Sequence, residues 1–389
     1  MNTLFFDVET SRHCGNLPWQ PDSFLVSLCI LLETKFGKYF DTIIFNHTEK
    51  PYTPVDISKI QALFDRADII VAHNLKFDLH WIHWLGIDTS KCRYCCTMVS
   101  EYLIRGQQRG TELSLKELSI KYGIPDKIDV VKEYWDSGYE TNEIPLDILI
   151  PYGEQDVLNC QAIYYKQIPI IQAQMQSKIV KLRCESLRVT QQIEANGMKI
   201  DVDLCKSMSD EYASKIDEIN KVLKQLIVDV LPELTDIDFN LGSNEHLSSI
   251  LFGGIIYVDG RVEGKREGTT KKGKIGIRTS GLGFVPRDGT ETKKQGYYQV
   301  DNAQLSELKA KPKTPQYIFL QCISDLSKME KMKTTYCDGL LEKNIGGIVH
   351  PTINECVTAT GRYSSSNPNS QNLPREGTSP VKGIFITRY

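Results

Sequence analysis

Three stretches near the start of the chain, Thr3–Phe6, Phe24–Leu32 and Tyr39–Phe45, are apolar and rich in β-forming residues. The segments between them, Arg12–Asp22 with its Gly and two Pro, and Glu33–Lys38, read as connections. A helical pattern at Ile57–Arg66 then leads into a short apolar strand, Asp68–Ala72. Helical segments follow at Asp78–Leu85, Cys95–Ile104, Ser114–Tyr122 and, at greater length, Pro145–Gln172. Strands in a run, then a strand among helices, predict a mixed α/β sheet covered by helices.

Beyond this region, Ser177–Gly197 has the pattern of an amphipathic helix closed by Asn196-Gly197. Asp201–Val230 predicts another long, highly charged helix, and the succession suggests an arm rather than a compact domain. Gly253–Gly296, rich in Gly and Lys, reads as strand and loop, and Pro312–Leu341 as helix. The polar last forty-odd residues end on Ile384-Phe385-Ile386. The sequence has no internal repeat and no low-complexity tract. A length of 389 residues suggests two or three domains.

Nothing in the chain approaches the ~20 apolar residues of a membrane span. The start lacks a basic stretch followed by an apolar run, so no secretory signal is expected. A net charge of −3 names no partner, but its distribution is uneven. Ten basic residues stand against four acidic ones between Arg261 and Lys294. That stripe reads either as a solvated loop or as a surface that follows a phosphate backbone. Eleven cysteines without regular spacing read as reduced thiols. Cys92, Cys95 and Cys96 resemble half of a zinc site, with no second pair to complete it.

The first strand runs into Asp7-Val8-Glu9. Residues i and i+2 of a strand share a face, so both carboxylates point the same way. Asp78 follows the next apolar strand in Asn74-Leu75-Lys76-Phe77-Asp78, and Asp156 stands four residues after Tyr152, on one helix face with it. Hard divalent cations such as Mg²⁺ and Mn²⁺ prefer carboxylate oxygens converging from several elements. Paired ions of this kind activate water and stabilise the leaving oxygen of a phosphodiester. Each piece alone has a bland reading: a solvated strand end, a helix N-cap, a surface pair. Their conjunction in one α/β segment is what carries weight.

In that order, Asp-x-Glu, Asn-x-x-x-Asp and Tyr-x-x-x-Asp resemble the motifs of 3′–5′ exonucleases of the four-acid, tyrosine-containing type. These include ribonuclease D and the proofreading domain of family A DNA polymerases. The resemblance implies a ribonuclease-H-like fold, two Mg²⁺ or Mn²⁺ ions held by Asp7, Glu9, Asp78 and Asp156, and a water-orienting Tyr152. Asn74 would support the site, and His80 and His83 would be packed or surface histidines rather than ligands.

The second half resembles family A polymerases of the bacterial polymerase I or phage type. Gln191–Asp201 matches the passage from exonuclease to thumb. Phe239-Asn240-Leu241-Gly242-Ser243 with His246-Leu247 matches a thumb motif, with Ser243 predicted to cap a helix that ends at Gly253. Thr358–Ser366 and Asn367–Pro374 match the primer-template contact region, and Lys333-Thr334-Thr335-Tyr336 the helix preceding it. DNA contacts are therefore expected at Asn240, Ser243, Lys271, Lys272, Lys274, Lys333, Thr334, Tyr336, Thr360, Arg362, Gln371 and Asn372. The implied regions are an exonuclease domain over 1–175, a mainly helical thumb over 176–315 with a basic insert at about 254–300, and part of an α+β palm over 316–389.

The sequence stops at Arg388-Tyr389, before the place where the family carries its first polymerase aspartate, and contains no His-Asp-Glu motif. The expectation is an exonuclease that grips primer-template DNA without polymerising alone, in the cytoplasm of a bacterial or phage-infected cell. A second chain would carry the remaining palm and fingers, with Ile384-Phe385-Ile386 lacking the sheet they pack against. The alternatives are a non-catalytic DNA-binding subunit and a ribonuclease D-like RNA processor.

Overall fold

The most apolar strand lies inside the main sheet. β2 (Leu25–Thr34) is buried at its first eight positions, so both of its faces need cover. It pairs antiparallel with β1 (Thr3–Thr10) and with β3 (Gly37–Ile44). β4 (Ile69–Ala72) lies parallel to β1, and β5 (Arg93–Cys96) parallel to β4, giving the order β3-β2-β1-β4-β5. This is the expected mixed α/β sheet.

The computed structural model describes every residue except 14, 52–53, 109–111, 126–129, 259–274, 376–378 and 389. It divides into two compact units, Met1–Asp201 with Glu342–Tyr389, and Val202–Leu341. These units and the three expected regions divide the chain at different places.

Alternation along the strands assigns the two faces of the first unit's sheet. Leu4, Phe6, Val8, Leu28, Ile30 and Leu32 pack with Phe64, Leu75, Leu79, Trp81, Val99 and Tyr102, which come from helices Ile57–Asp65, Leu75–Trp84 and Thr97–Ile104. Phe5, Cys29 and Leu31 pack with Val157, Cys160 and Tyr164 of helix Leu146–Ala173. Each fully buried Leu, Ile or Phe contributes about 1.5–3 kcal/mol. Asp7 and Glu9 share the parity of Phe5. They therefore face the long helix.

Several boundaries differ from expectation. The helix expected from Asp78 begins at Leu75, because Asn74 takes the left-handed conformation that opens it (φ 57°). Asp78 is thus inside the first turns and is not an N-cap. Arg93–Cys96 is the edge strand β5, and its helix starts only at Thr97; four residues are too few to show a period. The single helix over Ser177–Gly197 is two, Ser177–Glu185 and Leu187–Asn196, meeting at Ser186. The expected arm is not formed: Val180, Cys184 and Leu187 belong to the sheet's core, and Leu223 and Ile227 of the following helix, Val202–Val230, to the core of the second unit.

The C-terminal residues also depart from expectation. Thr352–Asn354 pairs with Ser364–Ser366, and Met198–Lys199 with Ile348–Val349. Gly197 makes the second pairing possible at φ 60°, since a Cβ there would lie 2.6 Å from Ile348 Cγ2. Ile384, expected to be without a sheet, is fully buried; Phe385 bridges to Ile200, and the Ile386 N–H donates to the Lys199 carbonyl at 3.1 Å. Backbone from the Met198–Ile200 segment supplies the partner, which no local pattern announces.

The second unit gathers helices Val202–Val230, Asn244–Phe252 and Pro315–Glu330 around Leu223, Ile227, Ile250, Leu251 and Phe319. As expected, Ser243 caps the Asn244–Phe252 helix, its hydroxyl accepting from the His246 N–H, and Gly253 ends it. Gly254–Val258 and Ile275–Thr279 form an antiparallel hairpin packed on the same core through Ile256 and Ile277. Among the described residues, no helix is long and apolar enough to cross a membrane.

Candidate active site

β1 delivers its two acids from a rigid central position. Asp7 is paired with Cys29 and Glu9 with Ser27, and a bulge follows directly between Glu9 and Thr10. Above them runs helix Leu146–Ala173, whose Gly153 lets its backbone come close to the sheet. A Cβ on Gly153 would stand 2.8 Å from Cys29 Sγ and 3.9 Å from Glu9 Oε1. One turn further on, Asp156 reaches the same spot. Asp7, Glu9 and Asp156 each offer a carboxylate oxygen, all within 4.8 Å of one another.

Asp78 borders this trio without being part of it. Its carboxylate accepts the Val8 N–H at 3.1 Å, from the peptide between the two β1 acids. Burial raises its pKa well above the carboxylate range, and the charges of Asp7 and Glu9 push the same way against the Val8 hydrogen bond. Burial likewise raises the Cys29 and Cys160 thiols, and Asp7 adds to both shifts. This is a pocket rich in negative charge. An all-carboxylate oxygen set fits Mg²⁺ or Mn²⁺ and suits softer metals poorly.

Tyr152 is half-buried, its ring edge-on to Trp135 at 5.9 Å, in a cluster with Val26, Ile144 and Leu149. The Arg12 guanidinium lies 4.6 Å over the Trp135 ring. Trp135 belongs to a short helix, Val130–Asp136, that the sequence reading missed, because its seven residues span only two turns. Asn74 is exposed, and its contribution is the backbone turn at the helix start rather than a side-chain cap. The histidines are packed. His80 is buried 2.8 Å from Glu194, and His83 bridges Gln191 and Thr89.

The residues expected at DNA fall in both compact units. Asn240 is exposed and closes a turn by accepting the Gly242 N–H at 2.8 Å. Helix Pro315–Glu330 continues as a π-helical stretch over Lys331–Asp338. There Lys333 pairs with Asp338 at 2.7 Å, and the Thr334 hydroxyl donates back to the Glu330 carbonyl. Tyr336 is buried, so its ring is a packing group rather than a surface contact. Thr360, Arg362, Gln371 and Asn372 are exposed. Lys271, Lys272 and Lys274 lie outside the described residues.

Two family models match the chain, and the second of them spans parts of both compact units. Residues 27–167 match the 3'-5' exonuclease family model, and residues 202–389 match DNA polymerase family A. The two matches together support a family A DNA polymerase with an exonuclease domain. The chain is 26% identical over 411 residues to the DNA polymerase of Escherichia phage T5, covering 98% of the chain and 41% of that protein. It is 24% identical over 312 residues to DNA polymerase I of Chloroflexus aurantiacus, covering 78% of the chain and 28% of that protein. A solved structure of the POL domain of Pol1 from M. smegmatis, in complex with DNA primer-template and dNTP, superposes with a TM-score of 0.65 at 20% identity. It covers 98% of this chain and 54% of that one. The chain thus spans well under half the length of these two curated relatives.

Proposed function

We propose that this family A polymerase chain is a metal-dependent 3′–5′ exonuclease that proofreads DNA 3′ ends and binds primer-template duplex, in the cytoplasm of a bacterial or phage-infected cell. The observation that carries the reading is the convergence of Asp7, Glu9 and Asp156 within 4.8 Å, on the face of β1 covered by the Tyr152-bearing helix. Asp7, Glu9 and Asp156 would hold Mg²⁺ or Mn²⁺, with Asp78 completing the negative pocket. When bound, such ions supply charge neutralisation at the phosphodiester and a lowered water pKa.

The chain's own groups do the rest. The Tyr152 hydroxyl donates or accepts a hydrogen bond to orient the attacking water, and its apolar neighbours restrict where the ring stands. The acidic pocket repels phosphate unless cations are present, which makes digestion strictly cation-dependent. Tyr152→Phe keeps the ring packing and removes only the hydroxyl. Single-turnover digestion should slow by roughly tenfold to a hundredfold with DNA affinity unchanged. An unaltered rate would remove Tyr152 from the chemistry.

The direct experiment is Mg²⁺-dependent digestion of 3′-labelled single-stranded and mismatched duplex DNA, beside a nucleotide-extension assay. Release of nucleoside monophosphates without extension is the expected result for these 389 residues. Primer extension by this chain alone would contradict the reading that it trims but does not polymerise.

Duplex binding is expected to run through phosphates, hence salt-sensitive and sequence-independent. Changing Lys271, Lys272 and Lys274 together to Ala should lower affinity and flatten the slope of log K against log salt by about 2–3. A wild-type slope would mark that stripe as a solubility feature.

A further inference from the structure

Helix Leu75–Trp84 carries Asp78 toward β1, and its other side meets a buried charge cluster that the exonuclease reading leaves unused. Lys76 Nζ donates to Glu194 Oε1 at 2.7 Å, to the two Glu355 oxygens at 2.9 and 3.0 Å, and to the Ile353 carbonyl. His80 Nε2 stands 2.8 Å from the second Glu194 oxygen. The Thr190 hydroxyl donates to Glu355 Oε1 at 2.7 Å, and the Ile353 N–H to Glu194. Lys76, His80, Glu194 and Glu355 are all at most 7% exposed.

Lys76 stands in the first turn of its helix, where a cation opposes the helix dipole. Asn74, at the N-cap position, makes no side-chain cap bond. The helix start therefore lacks the usual local anchor and holds a charge that local electrostatics disfavours. Both features make sense if the turn is anchored from outside. Lys76 and His80, four residues apart, share one face; Asp78 lies on the far side, about 200° round from Lys76. A buried ion network adds little stability over apolar packing, but it is directional and can specify one position.

We propose that Lys76, Glu194 and Glu355 are positioning residues for the exonuclease reaction, clamping the first turn of helix Leu75–Trp84 so that the Asp78 carboxylate stands beside Asp7 and Glu9. The proposal rests on the exonuclease reading above. It also fastens the Asp78 helix to Ile353–Glu355, immediately before the Thr358–Ser366 string expected at the primer.

The test uses the full chain, with Mn²⁺ titrated in the absence of DNA and followed by the paramagnetic resonance of the free ion. Digestion of 3′-labelled single-stranded DNA is measured in parallel. Glu355→Gln and Lys76→Met should each weaken Mn²⁺ binding by about tenfold or more and lower kcat similarly, with KM for DNA unchanged. The double change K76M/E355Q removes one charge of each sign and leaves the cluster's net charge unchanged, with Glu194 still held by His80 and the Ile353 N–H, so it should stay folded by circular dichroism. It is expected to show the same weakened Mn²⁺ binding. A folded double variant with wild-type Mn²⁺ affinity and kcat overturns the clamp. Wild-type protein that binds Mn²⁺ but digests no DNA overturns the exonuclease reading instead, and the Mn²⁺ comparison among variants still decides the clamp. Wild-type protein that takes up no Mn²⁺ overturns both.

Discussion

Asp7→Ala and Asp156→Ala should each slow release of nucleotides from a 3′ end by on the order of a thousandfold, while duplex binding at fixed salt stays within about twofold. A loss of that size corresponds to about 4 kcal/mol of transition-state stabilisation. Asp7 and Asp156 come from different elements, and either deletion opens one side of a trio whose oxygens lie within 4.8 Å. Neither change leaves a cavity under the sheet, since both carboxylates face the acidic pocket, so thermal unfolding should shift little. The measurement is a time course on 3′-labelled single-stranded DNA across a Mg²⁺ series. Wild-type rates in either variant would mean that the trio is not where cleavage occurs.

Gly153→Leu is expected to damage the site without touching an acid. The backbone at Gly153 approaches the sheet so closely that even a Cβ would lie 2.8 Å from the buried Cys29 sulfur. A leucine cannot fold away there, because β2 is buried on both faces. The long helix must lift, at a cost of roughly 1–3 kcal/mol in stability. Tyr152 and Asp156 ride on that helix, and a shift near 1 Å in reacting groups costs about a hundredfold in rate. Gly153→Ala should show the same signs at smaller size, and adding Cys29→Ala should restore part of the loss. Digestion rates and thermal midpoints of the four proteins test this; a Gly153→Leu enzyme of wild-type rate would refute it.

The legible features were those written locally. Asp7 and Glu9 on one strand, and Tyr152 and Asp156 on one helix, are each fixed by a period of two or of 3.6 residues. The long helix was readable because 28 residues sustain the pattern even with Pro151 and Pro169 inside. The Ser243 cap and Gly253 stop were readable for the same reason, since capping residues act over one turn. Elements of only a few residues were not. Arg93–Cys96, Ile348–Val349 and Thr352–Asn354 owe their extended form to the strands they pair with rather than to their own composition.

The site shows the same division. The sequence named four acids, a tyrosine and an asparagine, but not how close they stand. It could not show that Asp78 meets Val8 N–H beside the trio, or that Trp135 packs against Tyr152. It left Tyr336 among the DNA contacts, although that ring is buried. The Lys76 cluster was wholly invisible: its partners lie 118 and 279 residues away.

By itself, then, the sequence determined the α/β class of the first unit, the identity of the acids and the faces they occupy within their own elements, because strand and helix periods act over a few residues. Tertiary structure alone decided that three of those carboxylates converge, that Gly153 admits the helix to the sheet, and that Lys76 finds two distant glutamates. Those outcomes depend on which surfaces can be buried together, and that is a property of the whole packed unit.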